Sequence, residues 1–215
     1  MSRPAIGILG GTFNPVHVGH LRGALDCRDL LGLDSIRLMP ARLPPLKATP
    51  GVSAAQRARM LDLAVEGMEG LTVDRRELDR EGLSFTVDTL REFRQELGPE
   101  VVVVFIMGAD SLQRLNRWQD WELLLDHANI AVLSRPPGDL QLPPELQGWL
   151  KEHEVPPSQL LNQAEGAVTR LLQPALDISS SALRLAVAGG RNVRYLLPDR
   201  VLEYINDHGL YRSAK

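Results

Sequence analysis

A chain of 215 residues is long enough for one full domain with a proper buried core and at most a small appended subdomain. Its 24 Lys and Arg against 27 Asp and Glu leave a formal net charge of −3, so there is no global positive excess to neutralise a nucleic-acid backbone. The single Cys27 excludes an internal disulfide framework and Cys-rich zinc sites and reads as a packed helix residue in a reducing compartment, with no nucleic-acid partner expected.

Strand-length apolar runs alternate with longer amphipathic stretches, the pattern of βα units feeding a parallel sheet. Ala5 to Leu9 reads as a first buried strand, followed by a Gly-rich turn and a helix from Val18 to Leu31 with Leu21, Ala24 and Leu25 on one face. Ser35 to Met39 is a second strand. Residues 40 to 52 carry Pro40, Pro44, Pro45 and Pro50 and form a loop, after which Ser53 and Gln56 make a capping box opening a helix to about Glu66. Leu71 to Val73 is a short strand, and Thr86 to Leu97 a helix closed by Gly98-Pro99. The run from Val101 to Met107 is the central strand, too short to span a bilayer, and MSRPAIGILGG lacks the apolar stretch of a signal peptide. A soluble, cytoplasmic protein without a membrane partner is expected.

Gly108-Ala109-Asp110 falls directly after that strand, at the carboxyl end of the sheet where doubly wound folds bind ligands. Asn129 to Ser134 is a further strand. From Arg135 to Gly166 three Pro-Pro pairs signal a surface excursion rather than a second domain. Val168 to Leu172 returns to the sheet, Ser179 to Ala188 is a short helix, and Pro198 to Asp207 is a last helix with Pro at its first position. The predicted fold class is α/β: a Rossmann-like, doubly wound, mainly parallel sheet with a small C-terminal helical subdomain. The core occupies residues 1–172, including the excursion at 136–166, and the helical segment residues 173–215.

The densest chemical signal is GGTFNPVHVGHL, from Gly10 to Leu21, on the first strand-to-helix crossover. Gly10 and Gly11 let backbone approach a ligand, the helix start offers N–H groups to an anion, and His17 and His20, three apart, point the same way. It is neither a G-x-G-x-x-G fingerprint nor a P-loop, which would end in Gly-Lys-Ser/Thr. A plain tight turn, a zinc pair lacking its third ligand, and ordinary capping histidines are the competing readings. A second candidate anion cradle is Ile178 to Arg184, where Ser179 and Ser180 stand at a helix start, although a simple Ser N-cap reads the same way. The basic residues are 21 Arg and three Lys, which singles out Lys47 and Lys151.

With these segments in view, the sequence resembles the H-x-G-H nucleotidyltransferase superfamily and, within it, the bacterial nicotinate mononucleotide adenylyltransferases. GGTFNPVHVGHL is joined by Pro44-Pro45-Leu46-Lys47, Phe85 to Leu90, Met107 to Leu112, Trp118, Arg135-Pro136, Ile178 to Arg184 and Gly209-Leu210-Tyr211, in the family's order. The resemblance implies transfer of AMP from ATP to nicotinate mononucleotide, giving nicotinic acid adenine dinucleotide and pyrophosphate in NAD biosynthesis. ATP would be met by Gly10, Gly11, Thr12, Phe13, His17, His20, Ile178, Ser179, Ser180 and Arg184, with His17, His20, Lys47 and Arg184 facing the reacting phosphates. The acceptor would be met by Lys47, Thr86, Asp110, Trp118 and Arg135: Trp118 stacking on the cationic pyridinium ring, the helix opening at Thr86 taking the carboxylate, Asp110 a ribose hydroxyl, and Arg135 the nucleotide phosphate. The chain departs from the family in having Leu46 where His is common and Gln119 where a second aromatic often follows the tryptophan.

Mg²⁺ is expected as the companion of ATP, held by phosphates and water with no dedicated protein site. The sequence leaves a homo-oligomer open. Phosphopantetheine adenylyltransferase is the alternative within the superfamily, since ISSSALR resembles its serine-rich segment too; a nucleotide-sensing regulator and a metal-dependent hydrolase are the alternatives outside it.

Overall fold

The computed structural model describes residues 3–42, 52–134, 141–172 and 176–212. Six strands, β1 (Ala5–Gly11), β2 (Ser35–Pro40), β3 (Leu71–Val73), β4 (Val102–Gly108), β5 (Asn129–Ser134) and β6 (Val168–Leu172), form one parallel sheet in the order β3-β2-β1-β4-β5-β6. The chain winds outward from β1 to β3 and then crosses back to place β4 on the other side of β1. That reversal makes a topological switch point, and in such sheets the crevice outside the carboxyl ends of the strands is where ligands bind.

The strands are buried on both faces, and their side chains alternate between two apolar cores. From β4, Val102, Val104 and Ile106 enter one core while Val103, Phe105 and Met107 enter the other. The first core is covered by α1 (Val18–Leu31), α2 (Ala54–Val65), α7 (Ser180–Ala188) and α8 (Asp199–Asp207), through Ala24, Cys27, Met60, Leu61, Leu183, Val201 and Ile205. The C-terminal helices therefore share their core with α1 and α2. On the other face lie α4 (Thr86–Leu97) and α6 (Pro144–His153), with Leu90, Phe93, Leu146 and Leu150 buried.

Most boundaries fall within two residues of the sequence reading, including the Ser53–Gln56 capping box that starts α2. Pro198 is the N-cap of α8 rather than its first helical residue. Two single-turn helices are additional to the sequence reading, α3 (Arg76–Asp79) and α5 (Ala109–Leu112), both too short for a periodic signal. The described part of the Pro-rich stretch is also less peripheral than expected. Asn129, fully buried at the start of β5, donates to the carbonyls of Leu160 and Gln163 and accepts from the Ala167 amide, while Leu146 and Leu160 fill the cores. The Asn129 amide side chain thus helps to bind the segment to the sheet, alongside Val155, whose amide donates to the Val168 carbonyl and whose carbonyl accepts from Thr169 Oγ1.

Cys27 is buried in α1, and desolvation pushes its thiol up to about 12, which keeps it protonated and unreactive. Among the described residues no helix is long and apolar enough to cross a membrane.

Candidate active site

The β1–α1 loop sits at the switch point, because Gly10 and Gly11 extend β1 beside Met39 and Pro40 while Leu9 pairs with Ile106 of β4. Phe13, at φ 46°, turns the chain, and its buried ring meets the His20 ring edge-on at 5.1 Å. Gly11 lies close over that ring: a Cβ there would stand 3.0 Å from it. The Asn14–Pro15 bond is cis.

His17 is the N-cap of α1, and the two histidines form a reciprocal capping box. The Nδ1 of His17 accepts from the His20 amide and the Nδ1 of His20 accepts from the His17 amide, each at 3.3 Å. The rings stack with centroids 3.6 Å apart and 22° between planes. With both Nδ1 atoms accepting, the neutral tautomer of each ring carries its proton on Nε2, so each offers an N–H donor at its far end. Gly19 makes room for this: a Cβ at that position would lie 3.0 Å from His17 Nδ1. The open helix N–H groups expected here are thus largely occupied, those of His17 and His20 by the rings and that of Val18 by the Leu196 carbonyl at 3.1 Å. At this helix start an anion would meet imidazole N–H groups instead.

The second cradle is fastened to the first. Ser179 caps α7 by accepting from the Ala182 amide, Ser180 Oγ donates to the Pro15 carbonyl at 2.9 Å, and Arg184 Nη1 donates to the Asn14 carbonyl at 2.8 Å. Ile178 approaches Gly19 from the same side. Gly10, Gly11, Thr12, Phe13, His17, His20, Ile178, Ser179, Ser180 and Arg184 are therefore brought together as one body, although the bonded partners lie 165 and 170 residues apart in sequence.

Of the residues expected to meet the acceptor, Thr86, Asp110 and Trp118 are described, and Phe85, Ala109 and Trp118 pack against the second core. Asp110 follows β4 and is exposed, and its carboxylate folds over Gly108, where a Cβ would be 2.6 Å from Oδ1. Half-buried Trp118 packs edge-on against Phe105 at 6.1 Å. Thr86 opens α4, whose N-cap Phe85 makes no side-chain capping bond, so that helix start keeps free N–H character for a carboxylate. Behind it, buried Glu77 accepts from Thr89 Oγ1 at 2.9 Å, and Arg80 donates to Thr89 and Glu92. Burial raises the Glu77 carboxyl above its ordinary value. Phe85 and Trp118 pack against one core, whereas α1 and α7 pack on the opposite one. Lys47 and Arg135 lie outside the described residues.

Sequence reasoning missed the holders of the loop. Arg57 donates to the Thr12 carbonyl at 2.6 Å, and Tyr211 donates to Asn14 Oδ1 at 2.7 Å. A signal for Arg57 existed, since it stands with Met60, Leu61 and Ala64 at i, i+3, i+4 and i+7, on the face that a helix buries.

The family model described as cytidylyltransferase-like matches residues 8–186 of the chain. The probable nicotinate-nucleotide adenylyltransferase of Pseudomonas aeruginosa strain UCBPP-PA14 is 44% identical over 208 residues, covering 97% of each chain. That of Cellvibrio japonicus is 42% identical over 210 residues, covering 98% of this chain and 100% of its own. The chain belongs to the nicotinate-nucleotide adenylyltransferase family. It is a nucleotidyltransferase enzyme, and the matched span runs from β1 through the two histidines to Arg184. Among solved structures, the Plasmodium falciparum nicotinic acid mononucleotide adenylyltransferase complexed with NaAD superposes with a TM-score of 0.73 at 18% identity over 97% of both chains, a likeness of fold.

Proposed function

We propose that the enzyme transfers AMP from ATP to nicotinate mononucleotide in NAD biosynthesis, by direct in-line attack. A phosphate oxygen of the acceptor forms a bond to the α-phosphorus, the bond from that phosphorus to the bridging oxygen of the β-phosphate breaks, and pyrophosphate leaves. The carrying observation is the fused pair of cradles: two imidazole Nε2–H donors held by a reciprocal cap, tied through Asn14 and Pro15 to Ser180 and Arg184. Such a site needs no protein nucleophile, because its work is to align two anions and offset the charge that develops between them. His20, beside Phe13, is aimed at the α-phosphate, with His17, Ser179, Ser180 and Arg184 on the phosphates beyond it, and Lys47 as a further cation.

On the acceptor, Trp118 takes the pyridinium ring, the Thr86 end of α4 the carboxylate, Asp110 a ribose hydroxyl and Arg135 the phosphate. The names of the relatives support this choice of acceptor, as does the Plasmodium neighbour's complex with NaAD. Mg²⁺ would be carried on the ATP phosphates as part of the substrate. The working compartment is the cytoplasm.

The test is pyrophosphate release by purified protein with ATP and Mg²⁺, offering nicotinate mononucleotide, nicotinamide mononucleotide and phosphopantetheine in turn, with His20→Ala as control. Release with the first acceptor, lost in the control, is the expected result. Release with phosphopantetheine alone overturns the proposed acceptor, and release with none overturns the reaction.

A further inference from the structure

Arg57 is a cation placed where cations are costly. Its residue is 1% exposed, it lies on the apolar stripe of α2, and no carboxylate among the described residues pairs with it. Its guanidinium donates through Nη1 to the Thr12 carbonyl and through Nη2 to the Arg42 carbonyl at 3.2 Å, while Nε is buried without a partner. Two neutral carbonyls satisfy part of its hydrogen-bonding capacity but none of its charge. Burial accordingly lowers its pKa, and the group nearest in charge terms is the half-buried Tyr211 phenol, itself neutral and also close to Arg184.

The position of this cluster gives it a use. Thr12 follows Gly10 and Gly11 in the loop that would receive ATP, and Arg42 is the last described residue before the segment carrying Lys47. Tyr211 reaches the same loop from the C-terminal end of the chain, fixing Asn14 by its side chain while Arg184 fixes Asn14 by its carbonyl. Four side chains from three distant segments thus fasten residues 12–15: Arg57, Ser180, Arg184 and Tyr211. Two of them are guanidiniums, and in a region withdrawn from water their field is weakly screened.

We propose that Arg57 is a positioning residue that fixes the loop through Thr12 and Arg42 and whose unneutralised buried charge is balanced by the polyphosphate bound on the loop's other side, with Tyr211 completing the hold through Asn14. The inference rests on the reading of this loop as an ATP site. It makes affinity for a polyanion depend on a residue that never touches it.

The experiment uses Arg57→Met, Arg57→Lys and Tyr211→Phe in the full chain. For each, ATP binding is measured by calorimetry with Mg²⁺ and no acceptor, melting temperature is recorded with and without ATP, and kcat and KM are determined separately. Arg57→Met is expected to bind ATP about tenfold or more weakly, with a smaller ATP-induced rise in melting temperature. Arg57→Lys keeps the charge but not the fork, so it is expected to recover much of the binding while kcat stays depressed. Tyr211→Phe retains the packing and is expected to lower kcat a few-fold with the acceptor's KM unchanged.

A purely structural Arg57 would instead lower the melting temperature of the ligand-free protein and leave the ATP affinity of the folded variant within twofold of wild type, which overturns the proposal. If Arg57→Met does not fold, Arg57→Gln, which keeps hydrogen-bonding groups but not the charge, is measured in its place: ATP binding weakened about tenfold supports the proposal, and affinity within twofold of wild type overturns it. Wild-type protein that binds ATP in an Arg57-dependent manner but releases no pyrophosphate would sink the proposed reaction and leave this inference standing. Turnover by the wild type with Arg57-independent ATP binding does the reverse.

Discussion

The starts of α1 and α4, at the carboxyl edge of the sheet, solve the problem of binding an anion in opposite ways. At α1 the cap is closed, with the amides of His17 and His20 occupied by the Nδ1 atoms of the two imidazoles, which leaves Nε2 as the donor end of each neutral ring. At α4 the cap is open, since Phe85 brings no side chain to the helix start. The closed cap places donors on rings whose orientation is fixed by two backbone bonds and a stack, which suits a charge that appears only as the reaction proceeds. The open cap offers backbone amides and a partial positive charge to a carboxylate that is present throughout, which suits recognition. Chemistry and selectivity are thus expected to separate between the two helix starts.

The largest effect should come from breaking the closed cap. His20→Ala is expected to lower kcat by about 10²- to 10³-fold in a pyrophosphate-release assay, with a much smaller change in KM for ATP. His17→Ala removes both a donor and an N-cap, so it should lose rate and also destabilise α1 by about 1 kcal/mol, a fall of roughly 2–4 °C in Tm. His17→Asn sharpens the point: asparagine can cap the helix but has no Nε2–H, so the melting temperature should return while the rate does not. Recovery of both would show that His17 acts only as a cap.

At the open cap the effect should be smaller and of a different kind. Thr86→Ala is expected to narrow the ratio of kcat/KM for nicotinate over nicotinamide mononucleotide by about tenfold, the order expected for one hydrogen bond to a charged group, with kcat on the preferred acceptor little changed. An unchanged ratio would remove the Thr86 hydroxyl from carboxylate recognition. Gly108→Ala probes the neighbouring Asp110, whose Oδ1 occupies the space a Cβ would need at 2.6 Å. Because Asp110 is exposed and can swing away, a few-fold rise in acceptor KM is expected and little loss of stability.

The same contrast explains what could be read from the sequence. The parallel sheet was legible because strands buried on both faces are written as unbroken apolar runs such as Val102 to Met107, and the Ser53–Gln56 cap was legible because its donor and acceptor lie three residues apart. His17 and His20 could be paired from spacing alone, but their mutual capping could not, since histidine is not among the usual N-cap residues. Arg57 and Tyr211 escaped because their roles depend on contacts to Thr12 and Asn14 across 45 and 197 residues. Such long-range hydrogen bonds leave no local pattern. The anchoring of the Pro-rich segment was illegible for a related reason: prolines mark the turns, but Asn129, which holds Leu160 and Gln163, sits outside the segment.

The smallest effect on turnover is expected away from both helix starts, at the ion-pair network under the start of α3. Asp74 receives two hydrogen bonds from the Arg76 guanidinium, which in turn lies 3.4 Å over the Phe93 ring and reaches Glu96, while Arg37 pairs with both acids. Burial pushes the Asp74 carboxyl upward, but the bonds and charges of Arg76 and Arg37 outweigh it and hold the group below its ordinary value. A carboxylate lowered on folding contributes stability that is present above about pH 4 and is lost as the pH falls through its lowered value. Asp74→Asn should therefore cost about 1–3 kcal/mol at pH 7, several degrees in Tm, with the gap to wild type closing under acid conditions and kcat/KM unchanged at both pH values where the protein is folded. A gap that stays constant into acid would assign the loss to packing around Phe93. A drop in kcat/KM would mean that the sheet edge, and not only the loop holders, sets the geometry of the open cap.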